Sequence, residues 1–416
     1  MQSCTYLIVG ASHAGLAAAD AIRMIDQASP MILASRESHL PYSPTILPYV
    51  VSGRSKAERT ALRSEAFFKE KNITFLRSAQ LQSIDAEKSL AHFDQGTSIR
   101  FEKLLLATGA VSSLPAIPGL GDVAFHVLRT MDDALGLKTA MMGARRALVL
   151  GAGLIGTHAA ENMAEAGMKV SIVEPEKQLL PGYFDAKASG LIEKAFDGHG
   201  IDLKFGRSVA SLKPGVAVLD DGQEVPFDLL LIATGVRPAL TYLDGSGIRI
   251  DRGILVDERQ HTNLPAVWAA GDCAQVRLFQ SEGTGVAGIL PMAALQGRIA
   301  GQGMAGDEGQ KPFPGAVSLN TYSFFGQQAI SVGAGISGAD SPGAETVLRF
   351  DETAKTYLRL VLKDGRLMGA ASVNHPLDPG ILWQLILRQT DLSDVKERFL
   401  ADPKTTGRLL MSRLWR

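Results

Sequence analysis

The chain has 416 residues, more than one ordinary core holds; at roughly 100–200 residues per domain it calls for about two to four domains. Its 42 Lys and Arg against 43 Asp and Glu leave a net charge of −1, so no global field draws nucleic acid or an anionic membrane surface. Two cysteines, Cys4 and Cys273, exclude a disulfide framework, a Cys-rich zinc site and a Cys-ligated iron–sulfur cluster, and apolar stretches such as 104–111 fall far short of the ~20 residues that a membrane span needs.

In chain order, the first element is an apolar, strand-like run inside TYLIVGASHAGLAAADAIRM (5–24), followed by a glycine turn and an Ala-rich helical pattern. That is the opening of a βαβ unit with a buried parallel strand. Residues 31–34 give the second strand, and LLLATGA (104–110) is an apolar strand running into Ala107-Thr108-Gly109. The module then repeats. ALVLGAGLIGTHAAENMAEA (147–166) places Gly151 where the first copy has Gly10, a second strand lies at 170–173, and LLIATGV (230–236) closes the copy through Gly235. Two dinucleotide-binding folds follow. AVWAAGDCAQV (266–276) reads as a strand ending in a Gly-Asp turn, with a small-residue helix near 292–304. It completes the first domain, which makes the second module an insertion. Beyond Gln310 a linker-like stretch leads to a hairpin over 356–373 around Asp364-Gly365 and a helix over 379–389 that opens at Pro379. The expected architecture is α/β: a first dinucleotide-binding domain over 1–115 and 240–308, a second over 116–239, and a C-terminal α+β domain over 309–416.

GAGLIG (151–156) is a full G-x-G-x-x-G after a strand and before a helix. Gly151 permits the tight turn, Gly153 lets backbone approach a pyrophosphate, Gly156 lets helix and strand pack, and Leu154 and Ile155 open the helix facing the phosphates. Glu174 ends the next strand about 20 residues on, where a carboxylate accepts from a ribose 2′-hydroxyl and repels a 2′-phosphate. NAD(H) is favoured, although Lys169 and Lys177 keep NADP(H) open. A ligand-free glycine turn is the alternative. GASHAG (10–15) departs from the pattern, with Ser12 at the middle position and His13 and Ala14 before Gly15. Ser12 still leaves room and adds a hydroxyl; His13 serves through its backbone position or simply faces solvent. The second strand ends at Ser35-Arg36-Glu37, so Glu37, or Ser35 itself, serves the ribose.

With both modules, two Ala-Thr-Gly segments and AAGDCA in this order, the sequence resembles the two-dinucleotide flavoprotein reductases along essentially its whole length. That resemblance implies FAD in the first domain, NAD(P)H in the second and a C-terminal interface domain. It places Gly271-Asp272 on the FAD ribityl and pyrophosphate region, and Ala107, Thr108 and Gly109 beside the flavin. It also implies that Arg129, in LRTMDDA, reaches FAD, that Leu81 contacts adenine through its backbone, and that Pro291 faces the flavin ring. The stretch HLPYSPTILPYVVSGR (39–54) is similar to the NADH oxidase and coenzyme A-disulfide reductase branch, which carries a redox cysteine where Thr45 stands. Thr45 forms no sulfenic acid or mixed disulfide, and no CxxxxC pair exists. Cys273 reads as a small buried hydrophobe. His158 stands where that branch has Glu, as a contact to nicotinamide or flavin or as an ordinary packing residue.

LPYSPTILPYVVSG together with GASHA resembles the flavin subunits of multi-component oxidoreductases. The families are the FAD/NAD (epsilon) subunits of NADH-dependent phenylglyoxylate dehydrogenases and the FAD subunits of tungsten aldehyde oxidoreductase complexes. Two cysteines fit a reducing cytoplasm, and the resemblance implies an electron-transfer subunit with FAD and NAD(H), in a hetero-oligomer with an iron–sulfur partner. Substrate would be oxidised elsewhere, and hydride would pass between the stacked flavin and nicotinamide without an acid–base side chain or a metal. A free-standing ferredoxin or rubredoxin reductase is the alternative enzyme, and a non-catalytic flavoprotein binding module the alternative of another class. The amino terminus lacks a basic n-region, so no signal peptide is expected.

Overall fold

The structure, a computed structural model, describes residues 2–279, 283–334 and 341–414. The chain divides into two compact units. One comprises Met1–Ile46, Lys56–Val111 and Val236–Ala316, the other Leu47–Ser55, Ser112–Gly235 and Val317–Arg416.

The first unit is built on a sheet whose parallel part runs Ile73–Leu76, Met31–Ala34, Gln2–Val9, Ser98–Leu106 and Val267–Ala269, with Leu90–Phe93 and Leu81–Asp85 added antiparallel on Ser98–Leu106. The central runs are buried on both faces, hence their unbroken Leu, Ile and Val. The pairing of Val267–Ala269 with Leu104–Leu106 returns the chain to its first module after the intervening insertion. Two helices, His13–Ile25 and Leu290–Met304, pack at backbone contact. A Cβ on Gly297 would lie 2.0 Å from the Ala14 carbonyl oxygen, and one on Gly301 would lie 2.5 Å from that of Ala18.

The second unit repeats the parallel order with Asp202–Phe205, Lys169–Glu174, Arg146–Leu150 and Leu229–Ile232. It adds a three-stranded meander, Val209–Lys213, Val216–Leu219 and Glu224–Pro226, and a five-stranded antiparallel sheet after residue 317. In that sheet Thr356–Lys363 and Arg366–Val373 form the expected hairpin, with Asp364 at φ 48° and Gly365 at φ 71°, the two positive values a tight hairpin turn demands. Asp185 joins the sheet to the second module. Its carboxylate caps the helix Ala186–Gly198 and accepts from Tyr357 Oη at 2.6 Å and Arg359 Nη1 at 3.1 Å. Among the described residues no helix is long and apolar enough to cross a membrane, and no group of three His, Cys, Asp or Glu could hold a metal.

Candidate functional site: two glycine turns at the ends of parallel strands

In the first unit the turn after Gln2–Val9 leaves no space for larger residues at its ends. Gly10, at φ +116°, would put a Cβ 2.0 Å from the Ala107 carbonyl oxygen, and Gly15 one 1.8 Å from that of Gly10. Ser12 is the N-cap of His13–Ile25 without a side-chain capping bond, and the first turn holds no acid. Its amide groups therefore face an open, partially positive helix end, as a pyrophosphate requires. Ser35 Oγ accepts from the Glu37 N–H at 3.2 Å, and the Glu37 carboxylate accepts from Tyr42 Oη at 2.6 Å. Arg36 is exposed. Tyr42 carried no signal in the sequence, since nothing local shows that it meets Glu37.

Residues from distant segments of the same unit meet at or near this turn, and others of the expected site lie elsewhere in the unit. Gly271, at φ +80°, passes Ala14, where a Cβ would lie 3.2 Å from that of Ala14. Its N–H donates to Gln296 Oε1 at 2.8 Å. Gln296 is wholly buried, a contributor that an isolated glutamine in a helix could not announce. Asp272 lines a cavity of about 390 Å³ with Ala110, Val236, Arg237, Pro238, Arg252, Val286 and Gly288. The same carboxylate partly offsets the burial that holds the His13 imidazole below its ordinary pKa. His13 Nε2 lies 3.1 Å from Ser43 Oγ, which lies 2.8 Å from Thr45 Oγ1, so the threonine ends a hydrogen-bonded chain that starts on the first helical turn. Thr108 Oγ1 donates to the Ala239 carbonyl at 3.3 Å and lies 2.8 Å from Tyr242 Oη; Gly109 has φ +70°. Leu81 is buried in its strand. Pro291 sits in the first turn of Leu290–Met304, another helix start without a side-chain cap. Cys273 is fully buried, and its Sγ donates to the Leu106 and Ala270 carbonyls.

In the second unit Gly151 (φ +102°) and Gly156 are again closed by backbone: their Cβ atoms would lie 2.4 Å from Ala233 O and 2.1 Å from Gly151 O. Gly153 differs. A Cβ there meets no described atom within 4 Å, so the open side of the turn is its middle, where a phosphate would approach. Leu154–Glu165 begins without a side-chain cap or an acid in its first turn, with Leu154 half-buried and Ile155 exposed. Glu174 is buried at the end of the adjacent strand. Gly235, at φ +101°, accepts from the Ser113 N–H at 2.9 Å. The Arg129 N–H donates to Asp133, whose carboxylate also completes a capping box with Thr130. His158 packs edge-on against Tyr322, ring centroids 4.7 Å apart, and burial lowers its pKa.

Two uncapped helix starts, each behind a turn squeezed at both ends, the second also open at its middle, with a carboxylate on the neighbouring strand end or loop, fit two dinucleotides. The fold and site thus define an oxidoreductase that works with a flavin and a pyridine nucleotide. Residues 4–297 match the family model described as pyridine nucleotide-disulphide oxidoreductase, and the chain belongs to that family; its cofactors are FAD and NAD(H). It is 48% identical over 421 aligned positions to the NADH-dependent phenylglyoxylate dehydrogenase subunit epsilon of Aromatoleum evansii, covering 100% of this chain and 99% of that one. A probable ferredoxin reductase of Castellaniella defragrans is 28% identical over 96% of both chains. Among solved structures, a ferredoxin reductase of Rhodopseudomonas palustris superposes with a TM-score of 0.80 at 28% identity, covering 89% of this chain and 91% of that one.

Proposed function

We propose that this chain is the FAD-containing electron-transfer subunit of a multi-subunit oxidoreductase that oxidises an aldehyde or 2-oxo acid, exchanging hydride with NAD(H) and single electrons with an iron–sulfur partner. The observation that carries the reading is the state of position 45 and of the thiols. Thr45 offers a hydroxyl where the thiol-dependent branch would need sulfur, Cys273 is sealed, and burial pushes the Cys4 thiol up to about 12. No described group of this chain can take electrons as a disulfide or sulfenic acid, so they leave through an external carrier. Bound FAD supplies the conversion between a two-electron hydride and single electrons. In this reading Gly10, Ser12, His13, Ala14 and Gly15 hold its pyrophosphate, Ser35, Arg36 and Glu37 its ribose, and Leu81 its adenine. Ala107, Thr108, Gly109, Gly271, Asp272 and Pro291 border the remainder, with Thr45 and Arg129. Gly151, Gly153, Leu154, Ile155, Gly156, Glu174 and Gly235 receive NAD(H). The full-length similarity to a protein named as a dehydrogenase subunit supports the hetero-oligomer.

The similarity to a ferredoxin reductase favours a second reading, a free-standing reductase of a soluble carrier. Purification from the native host separates the two. The subunit reading expects co-elution with an iron–sulfur protein, while the isolated chain reduces artificial dyes with NADH and oxidises no aldehyde or 2-oxo acid unaided. Oxidation of such a substrate by the chain alone overturns it. A lone monomer or homodimer in native extract that serves a soluble ferredoxin establishes the free-standing enzyme.

A further inference from the structure

The two glycine turns share the bond that anchors them to the second strand and differ in what holds the residue after it. In each, the first glycine N–H donates to the carbonyl at the end of the second strand: Gly10 to Ala34 O at 2.8 Å, Gly151 to Val173 O at 2.9 Å. Ser35 and Glu174 therefore occupy equivalent positions, as do Glu37 and Glu176, and Ala11 and Ala152. Ser35 Oγ takes the Glu37 N–H at 3.2 Å and is too short to reach farther. Glu174 takes the equivalent Glu176 N–H with Oε1 at 3.0 Å, and with Oε2 it also takes the Ala152 N–H at 2.7 Å. Ala152 is fully buried, Glu174 is 9% exposed, and both carboxylate oxygens are engaged by backbone. Side-chain packing cannot hold the middle of this turn, because Gly153 has no side chain and open space beside it. The Ala152 peptide is instead pinned on both sides, its N–H by Glu174 and its carbonyl by the Leu180 N–H at 3.0 Å.

We propose that Glu174 is a positioning residue for the pyrophosphate-binding turn: its carboxylate fixes the 151–153 backbone in the conformation that receives the nucleotide, and so adds affinity independently of any ribose hydroxyl. The proposal rests on reading this turn as the NAD(H) site. A carboxylate accepts from two amide donors at once, and charge assistance shortens such bonds. A glutamine has one acceptor oxygen and turns an NH₂ toward the second donor, so it leaves one of the two N–H groups without this acceptor. Alanine leaves both unmet.

The test titrates FAD-loaded wild type, E174Q and E174A with ADP and with 2′,3′-dideoxy-ADP, which keeps the pyrophosphate and lacks both ribose hydroxyls. If Glu174 acts through the turn, E174A weakens both probes by a similar factor of at least about tenfold, and E174Q falls between it and wild type. Unchanged binding of the dideoxy probe, with ADP weakened, overturns the proposal and leaves a carboxylate that works solely through the ribose. The flavin spectrum and near-ultraviolet dichroism confirm that each variant is folded; should E174A lose FAD, the same criterion is applied to E174Q. Wild type that binds neither probe and is not reduced by NADH refutes the nucleotide site itself, an outcome distinct from a failed dideoxy arm.

Discussion

The Phe325 N–H donates to the buried carboxylate of Glu161 at 2.6 Å, tying the helix behind the second glycine turn to the tip of the hairpin Leu319–Phe324 and Gln327–Gly333. Phe325 holds a left-handed φ of 42°, and its ring stacks on His199 at 3.8 Å. Glu165, Arg54 and His199 are the charged or titratable groups that act on Glu161.

Burial, helped by the nearby Glu165, pushes the Glu161 carboxyl above the usual carboxylate range, against the Phe325 N–H bond and the influence of Arg54 and His199. An acid raised in the folded state contributes stability while protonated and loses it as pH rises through the folded value. E161Q keeps an acceptor for Phe325 without the buried charge. The stability difference should therefore favour wild type most at about pH 4 and below, near the unfolded value, and move toward the variant as pH rises through the raised folded value. Urea midpoints of both proteins across that range measure it, and a difference that does not vary with pH would contradict the assignment.

The two glycines of the second turn should separate folding from binding. G156A places a methyl 2.1 Å from the Gly151 carbonyl oxygen and should cost at least about 2 kcal/mol, overpacking against rigid backbone. G153A meets open space at φ −76°. Its denaturation midpoint should be close to wild type, while NADH binding weakens by about tenfold, or roughly 1.4 kcal/mol. Isothermal titration beside thermal melts reads both quantities; a destabilised G153A would place protein rather than ligand in that space.

Asp272 should be required for flavin retention. D272A removes a charged acceptor from the cavity beside His13, a loss of about 1.5–3 kcal/mol. Fluorescence titration of the apoprotein with FAD should show weakening by roughly ten- to a hundredfold. Equal FAD affinity would remove Asp272 from the site.

Thiol replacement should be nearly silent. Burial raises both Cys4 and Cys273, so neither is a thiolate near neutrality, and serine retains a donor for the Leu106 and Ala270 carbonyls. The C4S/C273S protein, loaded with FAD, should reduce dyes with NADH at close to the wild-type rate. Lost turnover in a folded double variant would reveal thiol chemistry near Thr45.

The parallel sheets, both glycine turns and the return of Val267–Ala269 to the first sheet were legible in the sequence, because a buried strand followed by Gly and a small-residue helix leaves a local pattern. The Asp364-Gly365 hairpin was legible for the same reason. Contacts between distant segments were not. Nothing local links Tyr42 to Glu37, Gln296 to Gly271, or Glu161 to Phe325. The bonding of Glu174 was also hidden: spacing placed its carboxylate at a strand end, yet it could not show that two backbone donors already share it.

The backbone contact of Gly297 and Gly301 with the first helix sets an order of events during synthesis. The opening strand and glycine turn leave the ribosome early, but Gly271, Asp272, Gln296 and the Leu290–Met304 helix follow more than two hundred residues later. Closing so long a loop is entropically affordable, since each doubling of length adds only about 0.6 kcal/mol, but it is slow because the contacts are non-local. The nascent amino-terminal half must therefore wait with its glycine turn unfinished, whereas the inserted module carries its four parallel strands and its own glycine turn in one contiguous stretch.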